Sequence, residues 1–77
     1  MKVEIFGTGC AKCLKTTERL AETIENLGVD AEIVKVTDLE DIIARGVMMT
    51  PAVAIDGVMK IEGRIPTEAA IRTWFGK

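Results

Sequence analysis

The chain has no histidine and no tyrosine, and among its 77 residues are only two cysteines, two prolines, two phenylalanines and one tryptophan. Without histidine, two thiolates are half of a zinc set that the chain cannot finish on its own, so no metal is expected as a resident cofactor. No apolar run approaches the roughly 18 residues that suggest a membrane span. The N-terminus enters a strand pattern directly, with Lys2 and Glu4 inside it, so no signal peptide is expected. Lys and Arg form no stripe and are not interleaved with the aromatics, and the net charge is −2, which disfavours nucleic acid as a partner. Hydrophobic residues make up 48% of the sequence, enough for the core of a single domain over residues 1–77. That length is near the limit at which a core suffices alone.

Both cysteines lie in one stretch, Gly7-Thr8-Gly9-Cys10-Ala11-Lys12-Cys13, between a strand-like and a helix-like run. A thiol attacks a disulfide as the thiolate. At an ordinary cysteine pKa near 8.5 only about 3% is ionised at pH 7, and a shift to about 7 raises that to roughly half. A helix N-terminus supplies such a shift through its unpaired N–H groups and dipole, and Lys12 and Lys15 add positive charge nearby. Cys10 therefore reads as an exposed attacking thiol. Cys13, one turn further in, reads as a shielded resolving thiol. Gly7 and Gly9 let the chain turn off the strand and leave the Cys10 sulfur uncrowded. Three other readings compete. A structural disulfide would close a loop of about four residues, worth roughly 2 kcal/mol, and would tie no distant elements together. Two buried, inert thiols would not need the glycines. A dithiol could hold a soft metal or metalloid, through dimerisation or two-coordination. In a reducing cytosol a vicinal pair favours redox or metal chemistry over a staple.

The rest of the chain alternates strand and helix patterns. Lys2–Phe6 reads as a strand with Val3 and Ile5 on one face and Lys2, Glu4 and Phe6 on the other. Glu4 has two readings. Its carboxylate sits behind the cysteines and exchanges protons with them, or its strand face is partly open and it is solvated. Residues 10–27 read as a helix burying Cys13, Thr17, Leu20, Ala21, Ile24 and Leu27, stopped at Gly28. Residues 30–36 form a second strand, parallel to the first in a βαβ unit. Thr37-Asp38-Leu39-Glu40 is a capping-box pattern opening a short helix to about Arg45, with Leu39, Ile42 and Ile43 buried and Gly46 as its stop. Met48 and Met49 read as core filler, or else as an apolar rim for a partner. Pro51 leads a third strand, Ala52–Ile55, and Asp56-Gly57 joins it to Val58–Ile61 as a two-residue hairpin. Thr67 caps a last helix from Glu68 to about Phe75, with Ala70, Ile71, Trp74 and Phe75 inward.

The resulting order is β-α-β-α-β-β-α, with Cys-x-x-Cys heading the first helix and Thr50-Pro51 ahead of the third strand. This resembles the thioredoxin/glutaredoxin fold over nearly the whole chain, an α/β architecture with a four-stranded mixed sheet flanked by three helices. The Gly7–Cys13 turn and Gly63-Arg64 are similar to small thioredoxin-like proteins, the redox-active disulfide protein 2 family. The resemblance implies a cis Thr50–Pro51 peptide packed against the cysteine pair, a Thr50 backbone that pairs with an incoming substrate segment, and Cys10 and Cys13 as attacking and resolving thiols. It implies a thiol–disulfide oxidoreductase with no cofactor beyond the Cys10–Cys13 disulfide. Its partners would be a thioredoxin-reductase-like electron donor and disulfide-bearing proteins, and it would act as a monomer in the cytoplasm. Thioredoxins carry a buried acid six residues ahead of the first cysteine, and Glu4 stands at that spacing. The Trp-Cys-Gly-Pro-Cys and Cys-Pro-Tyr-Cys sequences of thioredoxins and glutaredoxins are replaced here by Gly9-Cys10-Ala11-Lys12-Cys13, and the glutathione-holding residues of glutaredoxins are not matched. Two further function classes remain open: a soft-metal dithiol module, and a recruitment domain with vestigial redox activity.

Overall fold

The computed structural model describes residues 1–9 and 11–76. Its elements are β1 (Lys2–Phe6), α1 (Ala11–Leu27), β2 (Glu32–Val36), α2 (Leu39–Ala44), β3 (Ala52–Ile55), β4 (Val58–Glu62) and α3 (Glu68–Trp74). The four strands form one sheet in the order β2-β1-β3-β4. The β1–β2 pair is parallel, as a strand–helix–strand unit requires, and the β1–β3 and β3–β4 pairs are antiparallel. This is the thioredoxin-like α/β architecture.

The period of two along β1 divides the core between the two faces of the sheet. Val3 and Ile5 join Val53, Ile55, Leu20, Ile24 and Ile71 under α1 and α3, with Trp74 and Phe75 half-buried against them. Phe6 joins Ala52, Ala54, Ile42 and Val47 under α2, with Val36 and Met59 at its margin. Each fully covered aliphatic side chain, such as Leu20 or Ile71, is worth about 1.5 to 3 kcal/mol against exposure.

A bulge in β4 lets one short strand serve both cores. The register pairs Ala54 with Met59 but Val53 with Ile61, so Lys60 is the extra residue. Met59 and Ile61 are two apart and would share a face in a regular strand. The bulge turns Met59 to the α2 side and Ile61 to the α1 side. The hairpin before it is the expected two-residue turn. Asp56 and Gly57 have φ of 49° and 86°, both positive, as a type I′ turn demands. Asp56 also accepts from the Lys2 N–H through Oδ1 at 2.8 Å and donates its own N–H to Lys2 O at 2.8 Å.

Two helix faces differ from the sequence reading. In α1 the buried residues are Cys13, Thr16, Leu20, Thr23 and Ile24, while Thr17 and Leu27 are half-buried and Ala21 is exposed. Apolarity alone misses Thr16, whose hydroxyl is satisfied by donating to Lys12 O at 2.8 Å and whose methyl can then be buried. In α2 only Ile42 is buried. Leu39 and Ile43 are 60% and 64% exposed, because a six-residue helix lying on the sheet offers it less than one full face. The N-cap of α2 is Asp38, whose Oδ1 accepts from Glu40 N at 2.9 Å, in place of the Thr37–Glu40 capping box. Met48 and Met49 are 87% and 62% exposed and so are not core filler. Thr67 caps α3 as expected, accepting from Ala70 N at 3.1 Å.

Candidate functional site

The strand β1 ends at Phe6, and the chain leaves the sheet at Gly7, whose N–H donates to Val36 O at 3.1 Å. Thr8 and Gly9 are exposed, and Gly9 has φ +90°, a conformation that suits a residue without a side chain. Cys10, the expected attacking thiol, lies outside the described residues. Ala11 opens α1, so Cys13 falls in its first turn, buried at 5% exposure. No acidic residue occupies that turn, and Lys12 is exposed beside it. The helix end therefore keeps its positive field toward the cysteine stretch.

Cys13 lines a shallow crevice with Ile5, Gly7, Leu14 and Lys35. Lys35 stands opposite Ile5 in the β1–β2 ladder. Among the described residues it is the one ionisable side chain lining the crevice besides Cys13. A cation there favours the thiolate over the thiol. The period-two pattern of β2 was the available signal, since Lys35 follows Ile33 on the face turned toward α1.

Gly7 is needed for a different reason from the expected turn. Its φ lies outside the left-handed region, but a Cβ at this position would stand 2.4 Å from Cys13 Sγ and 2.9 Å from Cys13 Cβ. The sulfur occupies the space that any other residue would fill.

The second half of the site comes from the start of β3. The Thr50–Pro51 peptide is cis, Thr50 is exposed and Pro51 is buried. Continuing the β1–β3 register one step past Phe6–Ala52 sets Pro51 opposite Gly7, and Gly7 in turn touches Cys13. Pro51 O accepts from Gly63 N at 2.9 Å, and Glu62 Oε2 accepts from Met48 N at 3.1 Å. These two bonds hold the segment before β3 to the end of β4. The exposed Met48 and Met49 and the exposed Thr8 lie on the two loops that flank this corner, with Ile65 half-buried.

Glu4 fits neither of its two sequence readings. It is buried at 5% exposure, so it is not solvated. It lies on the face of β1 opposite to Ile5, the residue that faces the Cys13 crevice. Its carboxylate accepts from both terminal nitrogens of Arg45, Nη1 to Oε2 at 2.6 Å and Nη2 to Oε1 at 2.9 Å. Arg45 also stacks over the Phe6 ring, with its guanidinium carbon 5.3 Å from the ring centroid. The Arg45 hydrogen bonds hold the Glu4 carboxyl below its ordinary pKa, against the opposing effect of burial, and the pair raises Arg45 in return. Arg45 carried no local signal in the sequence. Residues 4 and 45 meet only because α2 folds across that face.

Among the described residues no group of three His, Cys, Asp or Glu could hold a metal ion. Residues 1–76 match the thioredoxin domain family. A thioredoxin of Methanocaldococcus jannaschii is 51% identical over 70 residues, covering 91% of this chain and 80% of that protein. A thioredoxin of Methanothermobacter thermautotrophicus is 38% identical over 72 residues, covering 94% of each. With the sheet order, the Cys-x-x-Cys stretch at the head of α1 and the proline corner opposite it, these matches show that the chain belongs to the thioredoxin domain family.

Proposed function

We propose that the protein is a thiol–disulfide oxidoreductase that reduces disulfide-bearing proteins and is itself recharged by a thioredoxin-reductase-like donor. The observation that carries this reading is the placement of Cys13. It is buried in the first turn of α1, lines a crevice with Lys35, and packs against Gly7, which the β1–β3 register sets opposite Pro51. Cys10 acts as the attacking thiolate. It bonds to one sulfur of the substrate disulfide, and the other substrate sulfur leaves as a thiolate. Cys13 then attacks the Cys10 sulfur, the Cys10–substrate bond breaks, and the second substrate thiolate leaves. The substrate gains two electrons, the dithiol becomes the Cys10–Cys13 disulfide, and the two cysteine protons pass to the released thiols. Thr50 offers its backbone to the substrate segment, and Pro51 closes the corner behind it. Gly9 keeps the approach to Cys10 uncrowded, and Lys12 adds to the positive field there.

The cycle needs no cofactor beyond the cysteine pair. Among the described residues no helix is long and apolar enough to cross a membrane, and the reducing cytosol is the compartment in which such a pair cycles. The direct test is reduction of insulin disulfides with an excess of dithiothreitol as donor. Cys10→Ser is expected to abolish it, and Cys13→Ser to accumulate the mixed disulfide. Full activity in Cys10→Ser, or stoichiometric soft metal in protein purified without chelator, would overturn the proposal. Equilibration against graded glutathione should place the potential between about −180 and −280 mV, the range of working thiol carriers.

A further inference from the structure

We infer that Glu62 is a positioning residue for substrate capture, and that its carboxylate holds the loop that presents the Thr50 backbone. The inference rests on the redox reading above and adds a residue to it. Met48, Met49 and Thr50 are exposed and span two buried anchors, Val47 and Pro51. The Val47 N–H donates to Ile42 O at 3.2 Å, and Pro51 O accepts from the Gly63 N–H at 2.9 Å. Between those anchors, Glu62 Oε2 accepts from the Met48 N–H at 3.1 Å. Glu62 is placed for this because the β3–β4 register sets it opposite Ala52, at the end of β4. Met49 lies over Gly63, whose φ is +77° and where a Cβ would meet Met49 Cβ and Cε at 3.2 Å. Among the described residues, the Thr50 N–H and C=O have no backbone partner within the fold. They are the groups left to pair with an incoming extended segment.

Among the described residues, the Glu62 bond is the one side-chain hydrogen bond that reaches residues 47–51. Without it, Met48, Met49 and Thr50 gain backbone freedom, and that freedom has to be lost again when a substrate strand binds. Holding the loop in advance therefore favours capture of a disulfide carried on a peptide. A small disulfide with no peptide backbone makes no strand pairing with Thr50, so it gains nothing from the ordered loop. The role needs an acceptor oxygen at the right reach rather than a negative charge, and a glutamine amide oxygen supplies one.

The experiment compares Glu62→Ala with Glu62→Gln, which are both uncharged and differ in the acceptor. Each protein is reduced, freed of dithiothreitol and mixed with an excess of insulin or of bis(2-hydroxyethyl) disulfide. The second-order rate of oxidation is read by acid quench and alkylation of the remaining thiols. Glu62→Ala should react with insulin about 3- to 10-fold more slowly than Glu62→Gln, and the two should differ by less than about twofold on the small disulfide. Amide hydrogen exchange at Met48 should be faster in Glu62→Ala than in Glu62→Gln by a similar factor, a readout independent of activity. Rates on insulin within twofold of one another, equal losses on both disulfides, or equal exchange at Met48 would overturn the inference. Glu62 is exposed at the end of its strand, so both variants keep the core intact. Failure of the redox reading shows differently: the unaltered protein would then be oxidised by neither disulfide, which overturns that reading and the inference with it. An active unaltered protein with no difference between the two variants overturns the inference alone.

Discussion

Replacing Arg45 with alanine strips Glu4 of the guanidinium that holds it while leaving the carboxylate under α2. The side chain of Glu4 is 7% exposed and that of Arg45 is 42% exposed. Removing one member of a fully buried ion pair costs about 3 to 5 kcal/mol. Water reaches the outer half of this pair, and screening there reduces the expected loss to about 2 to 3 kcal/mol at neutral pH. For a domain of this size that is about 10 to 20 °C in the thermal midpoint. The contact of Arg45 with the Phe6 ring contributes a part of it.

The pH dependence carries the diagnostic sign. The folded state holds Glu4 below its ordinary pKa of 4.5. Its contribution is therefore present in full above the unfolded value and is lost as pH falls through the folded one. In Arg45→Ala the hydrogen bonds and charge of the guanidinium are gone and burial is opposed only by the weaker charge of Lys2, so the Glu4 pKa moves up. The gap in stability between the two proteins should be widest at pH 7 and should close as Glu4 takes up its proton in the acid range. Urea unfolding of both proteins at intervals from pH 7 to pH 3 measures this directly. A gap below about 0.5 kcal/mol at pH 7, the scale of an ordinary surface substitution, would refute the reasoning. So would a larger gap that stays constant down to pH 3.

Four further outcomes follow from the same geometry. Glu4→Gln should leave the dithiol–disulfide equilibrium within threefold of the unaltered protein, because Glu4 lies on the β1 face turned away from the Cys13 crevice; redox titration checks it. Ile71→Ala, at a site fully buried under α3, should cost about 2 to 5 kcal/mol by urea unfolding. Leu39→Ser and Ile43→Ser on the outer side of α2 should each change stability by no more than about 0.5 kcal/mol in the same assay. Gly57→Val, which forces a β-branched side chain to φ 86°, should destabilise the hairpin by about 1 to 3 kcal/mol, read from the urea midpoint.

What was legible in the sequence was whatever is written in local period and turn chemistry. The alternation of Val3, Ile5 and Phe6, the Asp56-Gly57 turn and the Thr67 cap each involve residues near one another along the chain, and each appears in the structure where the pattern put it. The element order followed from them. The errors arose where burial depends on how much of a neighbour is available. Leu39 and Ile43 have the right spacing for a buried face, but a helix of six residues has too little sheet beneath it. Thr16 is buried in α1 because a threonine with its hydroxyl satisfied packs much as valine does, which an apolar count overlooks. In the site, the Cys-x-x-Cys spacing and Thr50-Pro51 could be read directly, while Lys35 needed the strand period and Arg45 needed the fold itself.

The alternation that made β1 legible also separates its two kinds of chemistry. Residues 3, 5 and 7 carry one face of the strand toward α1, where Ile5 and Gly7 border Cys13. Residues 4 and 6 carry the other toward α2, where Glu4 and Phe6 hold Arg45. An acid in a thioredoxin-like strand has two places to go, and the parity of its position decides between them. At an odd position in β1 it would stand against α1, on the side of the thiol. At residue 4 it anchors the helix on the far face. The sheet lies between that charge and the sulfur, and among the described residues the ionisable side chain that lines the crevice with Cys13 is a cation, Lys35. A carboxylate moved to the cysteine face, as in Ile5→Glu, would set a negative charge against Cys13 and disfavour its thiolate. Such a protein, if folded by circular dichroism, should resolve mixed disulfides more slowly at pH 7 and recover as pH rises. Resolution as fast as in the unaltered protein across that range would show that the face occupied by the acid does not matter.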